Sequence, residues 1–193
     1  KFAVDEELIA KKEFSVTTLG GLWNLKAYQN GEYSVKFLNP KNLDIKNNLP
    51  PETENRKHII SIEGNEIEIG VIDLGNPHAV SFKEIADGMA LNFIGNALQN
   101  SDWFPEGVNF GVAKIISNNE IELRVYERGV GETLACGSGA CAAALIAIED
   151  KTIEAPVKVN FEKGSIFIDY NIENNEILAK GKAKFIKQIN VTI

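Results

Sequence analysis

The sequence contains only two cysteines, Cys136 and Cys141, and both lie in one short segment. Cysteines so close together do not form the disulfide framework of a secreted domain, and they suit a reducing compartment. No apolar run approaches the roughly 20 residues that a membrane-spanning helix needs. The acidic stretch Asp5-Glu6-Glu7 near the start is unlike a secretory signal. We therefore expect a cytoplasmic protein that does not insert into membranes.

Clustered positive charge is also absent. The formal net charge is -7, and the 20 lysines and arginines are interspersed among 27 acidic residues. A nucleic-acid-binding protein presents a basic surface to the phosphates, so this charge pattern argues against that class. Hydrophobic residues make up 44% of the chain, which is the composition of a globular protein. We expect the partner to be a small molecule.

The signatures of common cofactors are missing as well. No glycine-rich nucleotide loop occurs between a strand and a helix, and no group of histidine, cysteine and carboxylate residues has metal-site spacing. We therefore expect the protein to use neither a cofactor nor a metal.

The hydrophobic pattern predicts an α+β fold, with sheets wrapped around a central buried helix. Helices are expected at residues 2–11, within 83–98 and at 136–148, and the last is apolar on all sides, as a buried helix is. Residues 39–55 contain three prolines without clear periodicity and are the candidate crossing between domains. Strands are expected at residues 14–18, 22–28, 33–38, 58–62, 66–74, 108–116, 121–127, 157–161, 165–170, 176–185 and 188–193.

The segment Ala135-Cys136-Gly137-Ser138-Gly139-Ala140 places a cysteine at the start of the helix predicted at 136–148. Backbone N–H groups in the first turn of a helix are free and bind anions. These groups and the helix dipole lower the pKa of a thiol, so we expect Cys136 to be partly thiolate near neutral pH and to accept protons. The alternative is that Cys136 is a small buried hydrophobic residue, as we expect Cys141 to be.

Other polar residues that can bind a substrate lie beside predicted strands. Arg128 can pair with a carboxylate and Glu127 can hold an ammonium group, although the two can equally belong to surface ion pairs. The segment Gly75-Asn76-Pro77-His78 presents an amide and an imidazole on a tight turn after a strand, where the imidazole can tune the pKa of a thiol or be structural. Asn109 can supply a further hydrogen bond.

Three segments together resemble the diaminopimelate epimerase family. They are Gly75-Asn76-Pro77-His78, Pro105-Glu106-Gly107-Val108-Asn109-Phe110 and residues 124–139, which read RVYERGVGETLACGSG. The resemblance covers essentially the whole chain, and it implies two similar α+β domains that face each other across the active site. It also implies an isomerase that converts L,L-diaminopimelate to meso-diaminopimelate without a cofactor, in lysine and peptidoglycan precursor biosynthesis, and that forms homodimers.

The resemblance implies a role for each matching residue. Cys136 is one of two catalytic acid/base cysteines, and Glu127 and His78 adjust the protonation of such cysteines. The residues implied to bind the substrate are Asn76, Asn109, Glu127, Arg128, Gly137 and Ser138.

The family's first catalytic cysteine, in an Asn-Gly-rich motif, has no counterpart in this chain. We therefore expect about 80 upstream residues, most of a small domain, to be missing. Residues 1–36 would be the remnant of the N-terminal epimerase domain, with residues 182–193 returning to it, and residues 37–181 would be the C-terminal domain. With one acid/base, the chain alone should give isotope exchange with retention of configuration at best.

Several other functions are compatible with the sequence. An epimerase or racemase of another amino acid, such as histidine, is the nearest alternative, followed by isomerases resembling proline racemase or the phenazine-biosynthesis enzymes. A non-catalytic amino-acid-binding module also remains open. A cysteine hydrolase is a third class, and it would require Cys136 to pair with His58 or His78.

Overall fold

A computed structural model of the chain describes residues 1–9, 12–18, 21–38, 49–53, 55–83 and 91–184. The helices in this part are α1 (Phe2–Asp5), α2 (Leu91–Gln99) and α3 (Gly137–Glu149). The strands in the first half are β1 (Glu13–Thr18), β2 (Gly21–Ala27), β3 (Glu32–Leu38), β4 (Lys57–Ile62), β5 (Asn65–Asp73) and β6 (Pro77–Ser81). Those in the second half are β7 (Asn109–Ser117), β8 (Glu120–Glu127), β9 (Gly131–Thr133), β10 (Val157–Phe161), β11 (Gly164–Asn171) and β12 (Glu176–Lys182).

The described strands form one sheet in the order β1-β2-β3-β12-β11-β10-β8-β7-β6-β5-β4, and β9 pairs with β8 outside this path. Most neighbours are antiparallel, whereas β6 with β7 and β8 with β10 are parallel. The α+β class predicted from the sequence is confirmed. The strand predicted at residues 188–193 lies outside the described residues.

Helix α3 is the centre of the fold. It contacts β5, β6, β7, β8, β10, β11 and β12, and residues 139–148 of the helix are all buried. The sheet approaches α3 closely where Gly70 leaves room for Ile146: a Cβ atom on Gly70 would lie 2.6 Å from Ile146 Cγ2. The prediction of a buried central helix is confirmed.

The half of the sheet around β5 is covered on both faces. Ile72 packs in the cluster around α3, while Ile69 and Val71 pack in a second cluster with Ile94 of α2. Successive residues of a strand point to opposite faces, so this strand is apolar on both sides over its buried half. The two clusters fix α2 and α3 on opposite sides of the strands that carry the candidate site.

The far end of α3 is held by ion pairs. Glu149 and Asp150 lie at the C-terminal end of the helix, where negative charge opposes the helix dipole. Lys57 Nζ lies 2.6 Å from Asp150 Oδ2, and the Arg56 guanidinium donates to the Glu149 carboxylate. These basic residues at the start of β4 offset the unfavourable charge and tie the helix to the edge of the sheet.

Several predicted elements differ from those observed. Of the helix predicted at residues 2–11, the described residues 2–9 form only α1: Glu7 adopts φ 54°, and the acidic Glu6 and Glu7 oppose the dipole at the helix end. Strands β6 and β9 were not predicted from the sequence; both are short and begin directly after glycine-containing turns. His78 therefore lies in a strand, not in the turn predicted for it.

The division into domains at residues 36 and 37 stays a prediction. Most of the proposed crossing, residues 39–48, and residues 185–193 of the returning segment lie outside the described part of the chain. Among the helices that are described, none has the length and hydrophobicity to cross a membrane.

Candidate active site

Cys136 is the N-cap residue of α3. Its backbone is extended, with φ -136° and ψ 115°, and the Gly139 N–H donates a hydrogen bond to its Sγ atom at 3.3 Å. Its carbonyl oxygen accepts the first helical hydrogen bond, from the Ala140 N–H at 2.9 Å. A side chain that accepts from the third residue of the helix is the usual N-cap arrangement. The sulfur is thereby fixed at the positive end of the helix.

The N–H groups of Gly137 and Ser138 are free. Neither has a hydrogen-bond acceptor within the described part of the chain, as expected for the first two helical residues. Gly137 is exposed, and a Cβ atom placed on it would meet no atom within 4 Å. The helix end beside the thiol is therefore open and can receive a carboxylate or another anion.

The environment of the Cys136 thiol contains both donors and an acceptor. Burial raises the pKa of Cys136, and the Glu127 carboxylate, which accepts a hydrogen bond from the thiol, raises it further. The Ser138 hydroxyl and the Gly139 N–H lower this pKa, but less than burial raises it. The predicted lowering of the pKa is therefore wrong, and Cys136 is protonated at neutral pH. Donors that stabilise a thiolate and an acceptor that stabilises a thiol suit a group that gives and takes a proton.

A chain of hydrogen bonds leads from His78 to Cys136. His78 Nε2 donates to Asn76 Oδ1 at 3.2 Å, and Asn76 Nδ2 donates to Ser138 Oγ at 3.4 Å. Ser138 Oγ lies 3.5 Å from Cys136 Sγ. Because Ser138 accepts from Asn76, its own proton is available to the sulfur. The structure thus brings together four residues that the sequence analysis selected in two separate segments.

His78 is neutral in this arrangement. Its side chain is only 2% exposed, and burial, with a smaller contribution from the Arg128 charge, lowers its pKa to about 4. Among the described residues, neither histidine hydrogen-bonds to Cys136, since His58 Nδ1 bonds the Pro50 carbonyl oxygen. The cysteine–histidine pair that a hydrolase requires is not formed.

Glu127 is placed by the hairpin of β8 and β9. Gly129 adopts φ +73° in the turn and Gly131 adopts φ +100° at the start of β9, and Val125 lies opposite Thr133 in the pairing. Glu127 and Val125 are two residues apart and share a face, so Glu127 is a diagonal neighbour of Thr133. The Thr133 hydroxyl donates to Glu127 Oε1 at 2.5 Å. Thr133 was not predicted to be a site residue, although the glycines after a strand are a hairpin signal.

Two amide side chains hold the backbone of the same turn. Gln99 Nε2 donates to the Glu127 carbonyl oxygen at 3.1 Å, and Gln99 Oε1 accepts from the Gly129 N–H at 3.3 Å. Asn109 Oδ1 accepts from the Arg128 N–H at 3.0 Å, and its Nδ2 donates to the Pro77 carbonyl oxygen at 3.0 Å. Gln99 carried no signal in the sequence analysis, because a glutamine at a helix end is ordinary.

Arg128 and Asn109 differ in how free they are to bind a ligand. The Arg128 side chain is exposed and donates through Nη1 to the Glu106 carbonyl oxygen at 3.0 Å. Asn109 is buried, and both ends of its amide already bond the protein. Asn109 therefore links the start of β6 to the turn after β8, and only its second N–H and second lone pair remain for a substrate.

We predict that Gly95→Ala destabilises the protein. A Cβ atom at residue 95 would clash with Cγ of Tyr126 and would lie 2.8 Å from its Cβ, and the Cβ atom cannot move without the backbone of β8. Alanine favours a helix over glycine by about 1 kcal/mol, whereas overpacking costs about 1–3 kcal/mol. We expect the free energy of unfolding in urea to fall by up to about 2 kcal/mol, the packing cost less the helix gain, while the exposed control Asn92→Ala leaves it unchanged or slightly higher. A stabilised Gly95→Ala variant would contradict this close packing.

The fold is shared with several solved racemases and isomerases. A probable proline racemase from Agrobacterium radiobacter K84 superimposes with a TM-score of 0.65 at 10% identity, covering 98% of this chain and 65% of that chain. A phenazine biosynthesis protein of the PhzF family from Bacillus anthracis gives a TM-score of 0.60 at 12% identity, covering 100% of this chain and 73% of that chain. At such low identity these similarities show the fold alone.

Sequence similarity identifies relatives of this chain more specifically than the shared fold does. A diaminopimelate epimerase from Nitrosospira multiformis is 33% identical over 183 residues, and one from Ectopseudomonas mendocina is 31% identical over 183 residues. Both alignments cover 95% of this chain and 66% of the relative, so the chain spans just under two thirds of the length of these relatives. The family model described as diaminopimelate epimerase matches residues 70–186. The chain therefore belongs to the diaminopimelate epimerase family.

Proposed function

We propose that Cys136 is one of two acid/base groups in a cofactor-independent epimerase that converts L,L-diaminopimelate to meso-diaminopimelate. One observation supports this above all: the Cys136 thiol lies between the Glu127 carboxylate and two hydrogen-bond donors, at an open helix end. As a thiol it delivers a proton to the α-carbon, and as a thiolate it removes one. Family membership makes diaminopimelate the substrate to test first.

The free N–H groups of Gly137 and Ser138 explain how such a site lowers the barrier. Removing the α-proton of an amino acid spreads negative charge into its α-carboxylate. N–H donors aimed at that charge stabilise it, and each donor of this kind contributes about 3 kcal/mol in comparable oxyanion sites. A carboxylate on these groups would hold the α-carbon next to Cys136, the N-cap residue of the same helix.

Glu127 and His78 have separate roles in the proposal. Glu127 accepts from the thiol and keeps Cys136 protonated, ready to act as an acid. Neutral His78 orients Asn76, whose Nδ2 donates to Ser138. This bond leaves the Ser138 proton to stabilise the thiolate once Cys136 has given up its own. Removal of the acceptor Glu127 should therefore lower the Cys136 pKa.

Substrate selection would come from the second amino-acid centre of diaminopimelate. Arg128 is exposed beside the site and can bind its carboxylate, and Asn76 can hydrogen-bond to it. Glu127 and the remaining valences of Asn109 can hold its ammonium group. A site that hydrogen-bonds this centre rejects lysine, which lacks the second carboxylate, because the polar groups would be left unpaired.

Inversion requires a second acid/base on the opposite face of the α-carbon. Cys141, the other cysteine, is 1% exposed within α3 and cannot supply it. We propose that the second group comes from a segment outside these 193 residues, in a domain that packs against residues 1–36. We further propose that the reaction serves lysine and peptidoglycan precursor biosynthesis in the cytoplasm and that the enzyme is a homodimer.

Isotope exchange tests this proposal. The purified chain is incubated in heavy water with L,L-diaminopimelate, with meso-diaminopimelate and, as a control, with L-lysine. We expect deuterium at the α-carbon of one configuration, with retention, and a rate that rises about tenfold per pH unit below the Cys136 pKa because the base is the thiolate. Inversion by the chain alone would contradict the proposal that the second acid/base group lies outside these residues. Equal exchange into lysine would contradict the proposal that diaminopimelate is the substrate.

A further inference from the structure

Among the described residues, the Glu127 carboxylate has two hydrogen-bond partners, the Cys136 thiol and the Thr133 hydroxyl. Its hydroxyl donates to Glu127 Oε1 at 2.5 Å, a distance typical of a hydroxyl bonded to a charged oxygen. A carboxylate held on one oxygen cannot rotate freely, so its direction toward the thiol is set by this contact. Thr133 is not itself among the hydrogen-bond partners of the sulfur, which within the described part of the chain are Ser138, Gly139 and Glu127.

The backbone explains why Thr133 can do this. It closes β9, a strand whose register with β8 places Thr133 opposite Val125. Val125 is buried and lies against α3, since a Cβ atom on Gly139 would meet Val125 Cγ1 at 3.1 Å. The face of β8 that carries Val125 and Glu127 therefore points to the start of α3, and the Thr133 side chain lies on that face.

We propose that Thr133 is a positioning residue that holds the Glu127 carboxylate against the Cys136 thiol. Its value to catalysis rests on the proposed function, whereas its effect on the thiol does not. Without the Thr133 hydroxyl, Glu127 turns toward solvent, and the thiol loses the acceptor that favours its protonated form. Within the described residues, Glu127 is the charged group that shifts the pKa of Cys136. The other hydrogen-bond partners of Cys136, Ser138 and Gly139, are neutral.

The test compares two variants of one residue. Thr133→Val keeps the β-branched shape and the preference for a strand but removes the hydroxyl, and Thr133→Ser keeps the hydroxyl. Both are made in a Cys141→Ala background, so that alkylation by iodoacetamide reports Cys136 alone. The pH midpoint of the alkylation rate is measured for each variant, and for Thr17→Val as a control on an exposed position of β1.

We expect Thr133→Val to move the midpoint down by about half a pH unit, which is about threefold more thiolate at a given pH below it. Thr133→Ser and Thr17→Val should keep the parent midpoint. Glu127→Gln should lower the midpoint at least as far, and adding Thr133→Val to it should have no further effect, because the two residues act through one contact. Thermal unfolding checks that each variant is folded, and Thr133→Ala replaces Thr133→Val if the latter is not.

An unchanged or raised midpoint in the variant without the hydroxyl would overturn the proposal. So would a shift that persists in the Glu127→Gln background, since Thr133 would then act on the thiol by another route. The readout needs no diaminopimelate. A shifted midpoint without isotope exchange would therefore refute the proposed function and support the role of Thr133. Isotope exchange with an unshifted midpoint would support the proposed function and refute the role of Thr133.

Discussion

Replacing Cys136 by serine lowers the rate of deuterium exchange into diaminopimelate by about 10²–10⁴-fold, the contribution of a positioned acid/base group. A serine hydroxyl is far less acidic than a thiol and does not form an anion in the pH range of the assay. Serine is, however, a good N-cap residue and can accept from the Gly139 N–H as the sulfur does. The variant should therefore fold normally, so that the loss reports chemistry and not stability.

Cys141→Ala is the matched control. Cys141 belongs to the same helix and is buried, with burial raising its pKa to about 12, so it takes no part in proton transfer. We expect exchange within about twofold of the parent chain, because the change removes one sulfur from the core and leaves the helix start intact. Exchange that survives Cys136→Ser but is lost in Cys141→Ala would contradict the assignment of the acid/base group.

The central features of the site were predictable because they are local. The glycines around Cys136 and the apolar run that follows determine a buried helix with its open end at the cysteine, and this needs no knowledge of distant contacts. The α+β class followed from strand patterns of the same kind. The hydrogen bond between Asn76 and Ser138 joins residues far apart in sequence, and only the family resemblance linked the two segments.

What could not be predicted depends on burial and on pairing register. The sequence shows that Cys136 begins a helix, which lowers a thiol pKa, but it does not show how far the sulfur is removed from water or that Glu127 accepts its proton. Burial and the Glu127 acceptor both raise the pKa of Cys136, and burial raises it more. Thr133 was missed for a related reason: its importance arises from the register of β8 with β9, which a three-residue strand does not reveal.

Gly137→Pro should lower exchange by about 10²-fold while leaving the protein stable. Proline at the first position of a helix is favourable, because the N–H that it lacks has no helical partner there. The residue before a proline must be extended, and Cys136 already has φ -136° and ψ 115°. Space is also available, since a Cβ atom on Gly137 meets nothing within 4 Å. The substitution therefore removes one N–H donor and little else.

The matched control, Gly137→Ala, keeps that donor and fills the same open space, so its exchange rate should stay within a few-fold of the parent chain. The comparison separates two explanations for the open helix end: room for the substrate, or a hydrogen bond to it. If the N–H stabilises charge on the α-carboxylate, only the proline variant lowers the exchange rate. The transition-state stabilisation that it loses should be close to the roughly 3 kcal/mol that such a donor contributes. If both variants lose exchange equally while unfolding in urea as the parent does, the site requires space at residue 137, and the proposed role of its N–H group is wrong.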